Sequence, residues 1–177
     1  MKMLTLLSIM ALLAVVSAGS QSALPQGKMP TRQVTLDGSF DLDAGADKAL
    51  PFFTPEGERT WAKGWNPQPV YPEQDRVAFQ TNAVFRVDEG SERSLWTIVE
   101  ANSQAHSAEY VYVVEGERLS RVRVEVQPLR PNRCRVKVHY VHTAISEKGM
   151  QFVSGLTQEG FLQKMRDWQS RISAAIR

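Results

Sequence analysis

Between residues 79 and 143 apolar and polar positions alternate with a period of two. Five runs carry the alternation, at 79–87, 94–101, 107–114, 118–127 and 133–143, each rich in Val, Tyr, Trp or Thr. The breaks between them contain Asp-Glu-Gly, Asn-Ser-Gln, Glu-Gly and Pro-Leu-Arg-Pro-Asn, all turn-forming. Connections this short join antiparallel neighbours, so the pattern predicts a meander. A parallel crossover would need about a dozen residues or more between strands. An earlier strand begins at 33–36, and Phe40 and Leu42 extend its alternation.

Two stretches depart from this period. Asp43-Ala44-Gly45-Ala46-Asp47 offers turn and capping chemistry ahead of a short helix over 48–53. Pro55 suits the first turn of a second short helix, where its missing N–H would be unpaired anyway. Glu56 and Glu58 complement the positive end of that helix, and Gly64 and Pro67 close the segment. At the other end, Ser146 caps a predicted helix running from Glu147 to about Ile176. Phe161, Met165, Trp168 and Ile172 are spaced to share one face, with Phe152 and Leu156 on an apolar face one turn earlier. Thirty helical residues would span about 45 Å, enough to cross a small sheet. Gly155 and Gly160 interrupt the pattern and mark a bend or a close approach.

The first residues follow neither pattern. Lys2 precedes an uncharged, mostly apolar run over 3–16, and Val16-Ser17-Ala18 supplies the small residues of a cleavage site. That run is shorter than the roughly 20 residues that span a bilayer. The expected organisation is a signal peptide at 1–18, a flexible Ser/Gln/Gly/Pro-rich leader at 19–30 and one domain at 31–177. An exported protein, periplasmic or secreted, is the corresponding expectation. The single cysteine, Cys134, excludes an intramolecular disulfide and packs within a strand as a small apolar side chain. A formal net charge of +2 points to no global electrostatic partner.

The stretch Phe-Phe-Thr-Pro-Glu-Gly-Glu-Arg-Thr-Trp-Ala-Lys-Gly-Trp-Asn-Pro at 52–67 resembles the early helical segment of a family in the START-like, or SRPBCC, superfamily. That superfamily includes the birch-pollen-allergen type and the polyketide cyclases. Three further segments extend the resemblance in the right order. Leu-Trp-Thr-Ile-Val-Glu at 95–100 is similar to a family strand, and RVKVHYVHTAIS at 135–146 to its final strand. Residues 155–168 are similar to its helix signature of Thr-x-Glu-x-Phe followed by Met-x-x-Trp. The resemblance implies an α+β helix-grip fold. A curved antiparallel sheet would wrap a long C-terminal helix around an apolar cavity, with two short helices after the first strand. Carriers, cyclases and subunits of larger enzymes share this fold, so it leaves function open.

Enzyme signatures are absent from the sequence: no G-x-S-x-G, H-E-x-x-H, phosphate-binding glycine loop or paired cysteines. No catalytic residue, metal or cofactor is assigned. On the last strand, alternation puts His139 with Arg135 and Lys137 on one face. His142 falls with Val136, Val138 and Tyr140 on the apolar face that grips the helix. His142 is a departure, because the family pattern has an apolar residue there. It reads either as a core histidine or as a polar fixture that orients a ligand.

The candidate ligand-binding set is His142, Tyr140, Val138, Tyr110, Tyr112, Trp61, Trp65, Phe152 and Leu156. Val111 and Val113 compete with Tyr110 and Tyr112 for the inward face, and the sequence leaves that choice open. Glu56, Glu58 and Arg59 read either as a group that binds a polar part of a ligand at the cavity mouth or as a helix start that pairs locally, and the structural reading is preferred. Arg121, Arg123, Arg133, Arg135 and Lys137 form a basic outer face, either simply solvated or able to dock on an anionic membrane surface. Nucleic acid is not expected, since no aromatic residues interleave with those cations. The leading reading is a carrier for a lipid-like or other hydrophobic small molecule. The alternatives are a cyclase, isomerase or hydrolase using His142 as general acid/base, and an interaction module using the basic face.

Overall fold

The computed structural model describes residues 32–176; the expected signal peptide and the leader lie outside the described residues. Seven strands form one antiparallel sheet: β1 (Gln33–Leu42), β2 (Gln68–Tyr71), β3 (Val84–Glu89), β4 (Glu92–Asn102), β5 (Ser107–Val114), β6 (Arg118–Arg130) and β7 (Arg133–Ala144). Their order is β1-β7-β6-β5-β4-β3-β2, so the predicted meander runs from β2 to β7 and β1 closes against the last strand. Two short helices follow β1, α1 (Ala46–Ala49) and α2 (Pro55–Glu58), separated by a 3-10 turn at Leu50–Phe53. Two more, α3 (Glu147–Gly155) and α4 (Gln158–Ala175), end the fold. This is the α+β helix-grip architecture.

Alternation along β6 and β7 buries Val122, Val124, Val126, Val136 and Val138 on the concave face. On α4, Phe161, Met165 and Ile172 are the buried positions, as the helical spacing requires. The helix packs directly on β1 because Gly38 has no side chain. A Cβ there would lie 2.5 Å from Met165 Cγ and 3.0 Å from Phe161 Cε1. Resting on this end of the sheet, α4 leaves part of the concave face uncovered.

Three predicted boundaries differ. The expected thirty-residue helix is two helices: Leu156 caps α3, and Thr157 starts α4 by accepting a hydrogen bond from Gly160 N at 3.0 Å. A side-chain cap of this kind competes with helix continuation, so α4 is 18 residues long, about 27 Å. The predicted strand over 79–87 has strand geometry only from Val84, and the short β2 beside it carried no period-two signal. Helix α2 ends at Glu58, well before the expected close at Gly64 and Pro67, so Trp61 and Trp65 lie beyond it.

The 52–67 segment is a clasp. Glu56 accepts hydrogen bonds from Val77 N at 3.0 Å and Arg59 Nε at 3.0 Å. Arg59 also donates to Asn66 Oδ1 and to the Pro67 carbonyl. The indole N–H of Trp61 donates to Phe52 O at 2.7 Å, and that of Trp65 to Pro55 O at 2.8 Å. With their polar atoms satisfied locally, both rings present apolar faces inward.

Candidate ligand-binding cavity

The uncovered concave face, the 55–65 segment, α3 and α4 enclose a cavity of about 750 Å³. That volume suits a small organic molecule, for which pockets of roughly 300–1,000 Å³ are usual. Aromatic rings make up about a third of its wall. Trp96 stacks on Tyr112 at 4.0 Å and on Phe85 at 5.8 Å between ring centroids, and Trp65 meets Trp96 edge-on at 5.3 Å. Across the space, Trp61 meets Trp168 edge-on at 5.3 Å. All four tryptophans of the chain border the cavity.

At the α3 end the wall is polar. Ser120 and His142 face one another in the β6–β7 register, and Ser120 Oγ and His142 Nδ1 are hydrogen-bonded at 2.8 Å. The imidazole stacks on Tyr140 at 5.1 Å and meets Phe152 edge-on at 5.8 Å. Burial, with Arg118 and Lys164 adding positive potential, pushes its pKa down to about 4. His142 is therefore neutral near pH 7. It cannot serve there as a general acid from the imidazolium form.

Arg118 anchors the same end. Its guanidinium is ion-paired to Glu117 and to Glu92, the latter at 2.7 Å, and sits 3.8 Å above the Phe152 ring. Lys148 reaches Glu117 at 2.8 Å, so α3 is fastened to the β5–β6 turn.

Glu58 marks the other polar region. Its carboxyl borders the cavity near Tyr110, Tyr140 and Lys164. Burial pushes its pKa up to about 8, and Lys164 only partly opposes that rise. Near pH 7 Glu58 is mainly a neutral carboxylic acid, able to donate a hydrogen bond. Its proton exchange falls near neutrality, a role for which the sequence had offered His142.

Of the residues nominated from sequence, His142, Tyr140, Tyr110, Tyr112, Trp61, Trp65, Phe152 and Leu156 line the cavity. Val138 does not. It pairs with Gly38 in the register, where Met165 and Phe161 press against the sheet, and is fully packed. The competition on β5 resolves in favour of the tyrosines: Tyr110 and Tyr112 are buried, whereas Val113 is 36% exposed on the outer face. Sequence reasoning assigned Glu58 to structure and missed Arg118 and Lys164. Lys164 had a readable signal, since it stands one turn from Phe161 and from Trp168 on the inward side of α4.

The basic outer face is largely neutralised. Arg121 is paired with Glu109, and Arg123 reaches Glu100, Glu109 and Glu125 at 2.8–3.1 Å. Arg133 and Arg135 share Asp41 at 3.1 and 2.8 Å. Four of the five nominated cations thus already have carboxylate partners, which leaves far less charge for an anionic membrane than the sequence suggested. Among the described residues, no group of three or more His, Cys, Asp or Glu could hold a metal ion. No helix among them is long and apolar enough to cross a membrane.

The neutral state of His142 has a measurable consequence. An unfolded histidine takes up a proton near pH 6.5, but the folded one resists until about pH 4. Stability must therefore fall as pH drops through that interval, by up to about 3 kcal/mol at 1.36 kcal/mol per unit. The expected result is that His142→Gln flattens the acid limb of a urea-denaturation stability profile between pH 6.5 and 4. An unchanged acid limb would contradict this assignment.

No family model matches the chain, and no curated protein matches it. Solved structures do. Norcoclaurine synthase from Thalictrum flavum, in complex with dopamine and hydroxybenzaldehyde, is similar over 96% of this chain and 97% of its own, with a TM-score of 0.59 and 10% identity. A hypothetical protein from Helicobacter pylori matches over 81% and 88%, with a TM-score of 0.62 and 12% identity. Ara h 8.0201 matches over 82% and 95%, with a TM-score of 0.56 and 12% identity. At these identities the likeness establishes the fold alone, an α+β helix grip.

Proposed function

Taking that helix-grip fold as the premise, we propose that the chain is an exported binding protein for a hydrophobic small molecule, held between the sheet and α4. The observation that carries this reading is the cavity of about 750 Å³ with its aromatic rings. Burying an apolar ligand against these rings contributes roughly 25 cal/mol per Å² before the costs of association. A small set of polar groups, including His142 and Tyr140, would fix its orientation. Export rests on the apolar run at 3–16 and the Val16-Ser17-Ala18 site. A mature N-terminus near Gly19 would support it, and an intact Met1 on the cellular protein would oppose it.

The neighbours in fold include a synthase in complex with dopamine and hydroxybenzaldehyde, so turnover is the second reading. Glu58 favours it, because a cavity acid with a pKa of about 8 can exchange protons near neutrality. Mass spectrometry of the organic extract from protein purified from its native compartment separates the two. An unaltered hydrophobic molecule recovered at near-stoichiometric amounts supports binding. Conversion of that molecule on incubation, lost in Glu58→Gln, would move the protein to the enzyme class.

A further inference from the structure

Among the described residues, one buried side-chain donor meets neither protein nor solvent, Nε of Arg118. Arg118 is 3% exposed and lies in the wall at the α3 end of the cavity. The rest of its guanidinium is engaged: Nη1 donates to Glu117, and Nη2 to Glu92 at 2.7 Å. Buried N–H groups are almost always paired, and stranding one on a charged group costs more than stranding a neutral one. An unmet donor in the wall of a binding cavity is a place for a ligand acceptor.

The surroundings decide what can pair with it. Lys148 reaches Glu117 at 2.8 Å, so Arg118 and Lys148 stand against Glu117 and Glu92, and the four charges cancel. A third anion at this guanidinium would face both carboxylates. An uncharged oxygen meets no such conflict and still gains a charge-assisted hydrogen bond. Aromatic rings flank the guanidinium, whose carbon lies 3.8 Å from the centroid of Phe152 and 5.9 Å from that of Tyr112. Tyr112 is held in the sheet and stacked on Trp96 at 4.0 Å. Phe152 is only partly buried, borders the cavity and rides on the nine-residue α3, so it is the ring with room to yield.

We propose that Arg118 Nε donates to an uncharged oxygen acceptor on the ligand, a carbonyl or an ether, and that the Phe152 ring shifts on the guanidinium to admit it. The apolar body of the ligand would then lie along Tyr112 and Trp96. This inference rests on the binding reading above, and it narrows a hydrophobic molecule to a neutral one with an oxygen acceptor at its α3 end.

The test is calorimetric titration at pH 7 with three probes sharing one ring system: 2-acetylnaphthalene, its hydrocarbon isostere 2-isopropenylnaphthalene, and 2-naphthoate. Arg118→Lys keeps a cation between Glu117 and Glu92 but removes the Nε donor. It should weaken the ketone by about tenfold, the effect of one hydrogen bond to a charged group, and the hydrocarbon by less than about twofold. Naphthoate should bind the wild-type protein more weakly than the ketone. A second measurement needs no variant: in a proton–nitrogen correlation spectrum, the Arg118 Nε–H signal should move further downfield on saturation with the ketone than with the hydrocarbon. Ketone and hydrocarbon weakened alike by Arg118→Lys, naphthoate bound more tightly than the ketone, or an Nε–H signal that the ketone leaves unmoved overturns the acceptor proposal and leaves the hydrophobic-ligand reading standing. Failure of all three probes, the hydrocarbon included, counts against that wider reading and so against this one.

Discussion

Replacing Glu58 with glutamine should raise the melting temperature near pH 9 and change it much less near pH 5. The folded carboxyl has a pKa of about 8 against an ordinary value of 4.5. Between those values the unfolded chain has released a proton that the folded chain still holds. Stability therefore falls as pH rises through the interval, and the full penalty is present above pH 8. A shift of that size corresponds to as much as about 5 kcal/mol. Relaxation and water reaching the cavity temper it, so a gain of about 2–4 kcal/mol is expected for Glu58→Gln at high pH. At roughly 2–4 °C per kcal/mol for a chain of this size, thermal melts followed by circular dichroism would resolve it. Equal melting temperatures for the two proteins at pH 9 would show that Glu58 is not held in the buried, neutral state described above.

The second large effect concerns Gly57, at the centre of the 52–67 signature. A Cβ at this position would fall within van der Waals contact of the Pro51 carbonyl oxygen, with the carbonyl carbon 2.8 Å away and Thr54 Oγ1 at 3.0 Å. Two of these three atoms are backbone, so the clash is relieved only by prising the 3-10 turn from α2. Gly57→Ala is expected to cost about 3 kcal/mol in urea denaturation and to displace Glu58 from the cavity wall. Gly155 provides the control, since a Cβ there meets nothing within 4 Å. Gly155→Ala should be neutral or stabilising by up to about 1 kcal/mol. Similar losses in the two variants would mean that general glycine flexibility, not the approach of Pro51, explains Gly57.

That contrast bears on what the sequence could and could not reveal. Period-two alternation placed five strands and the inward side of β7, including His142 and Tyr140, because side-chain direction along a strand follows from residue parity. The α4 face was equally legible from Phe161, Met165, Trp168 and Ile172. Gly155 and Gly160 signalled an interruption, but its place at Thr157 was not legible, since Thr157 acts as a cap only through a specific bond to Gly160 N. Pairing across strands was hidden as well. Arg121 looks uncompensated until the register sets Glu109 of β5 near it, and Asp41 of β1 lies nearly a hundred residues from Arg135. Glu58 was read as a helix-start carboxylate, because its neighbours Glu56 and Arg59 do form such a cluster. That its own carboxyl turns towards Tyr110 and Tyr140 depends on where the sheet curves, which no local spacing encodes.

The 52–67 segment thus combines a structural clasp, Glu56, Arg59, Trp61 and Trp65, with one carboxyl that faces the cavity, Glu58. The clasp holds two indole rings against the space that α4 leaves open. The proposed function depends on that space being occupied by a hydrophobic molecule.

The most direct test is native mass spectrometry of the protein isolated from its own compartment, beside a Val122→Phe variant. Val122 lies between Tyr110 and Tyr140 on the cavity floor, so phenylalanine would fill the site from below. The account predicts that the wild-type protein carries one extractable hydrophobic molecule and that the variant, folded by circular dichroism, carries much less. An empty wild-type protein that also fails to take up apolar probes, or equal loading of the two proteins, would contradict it.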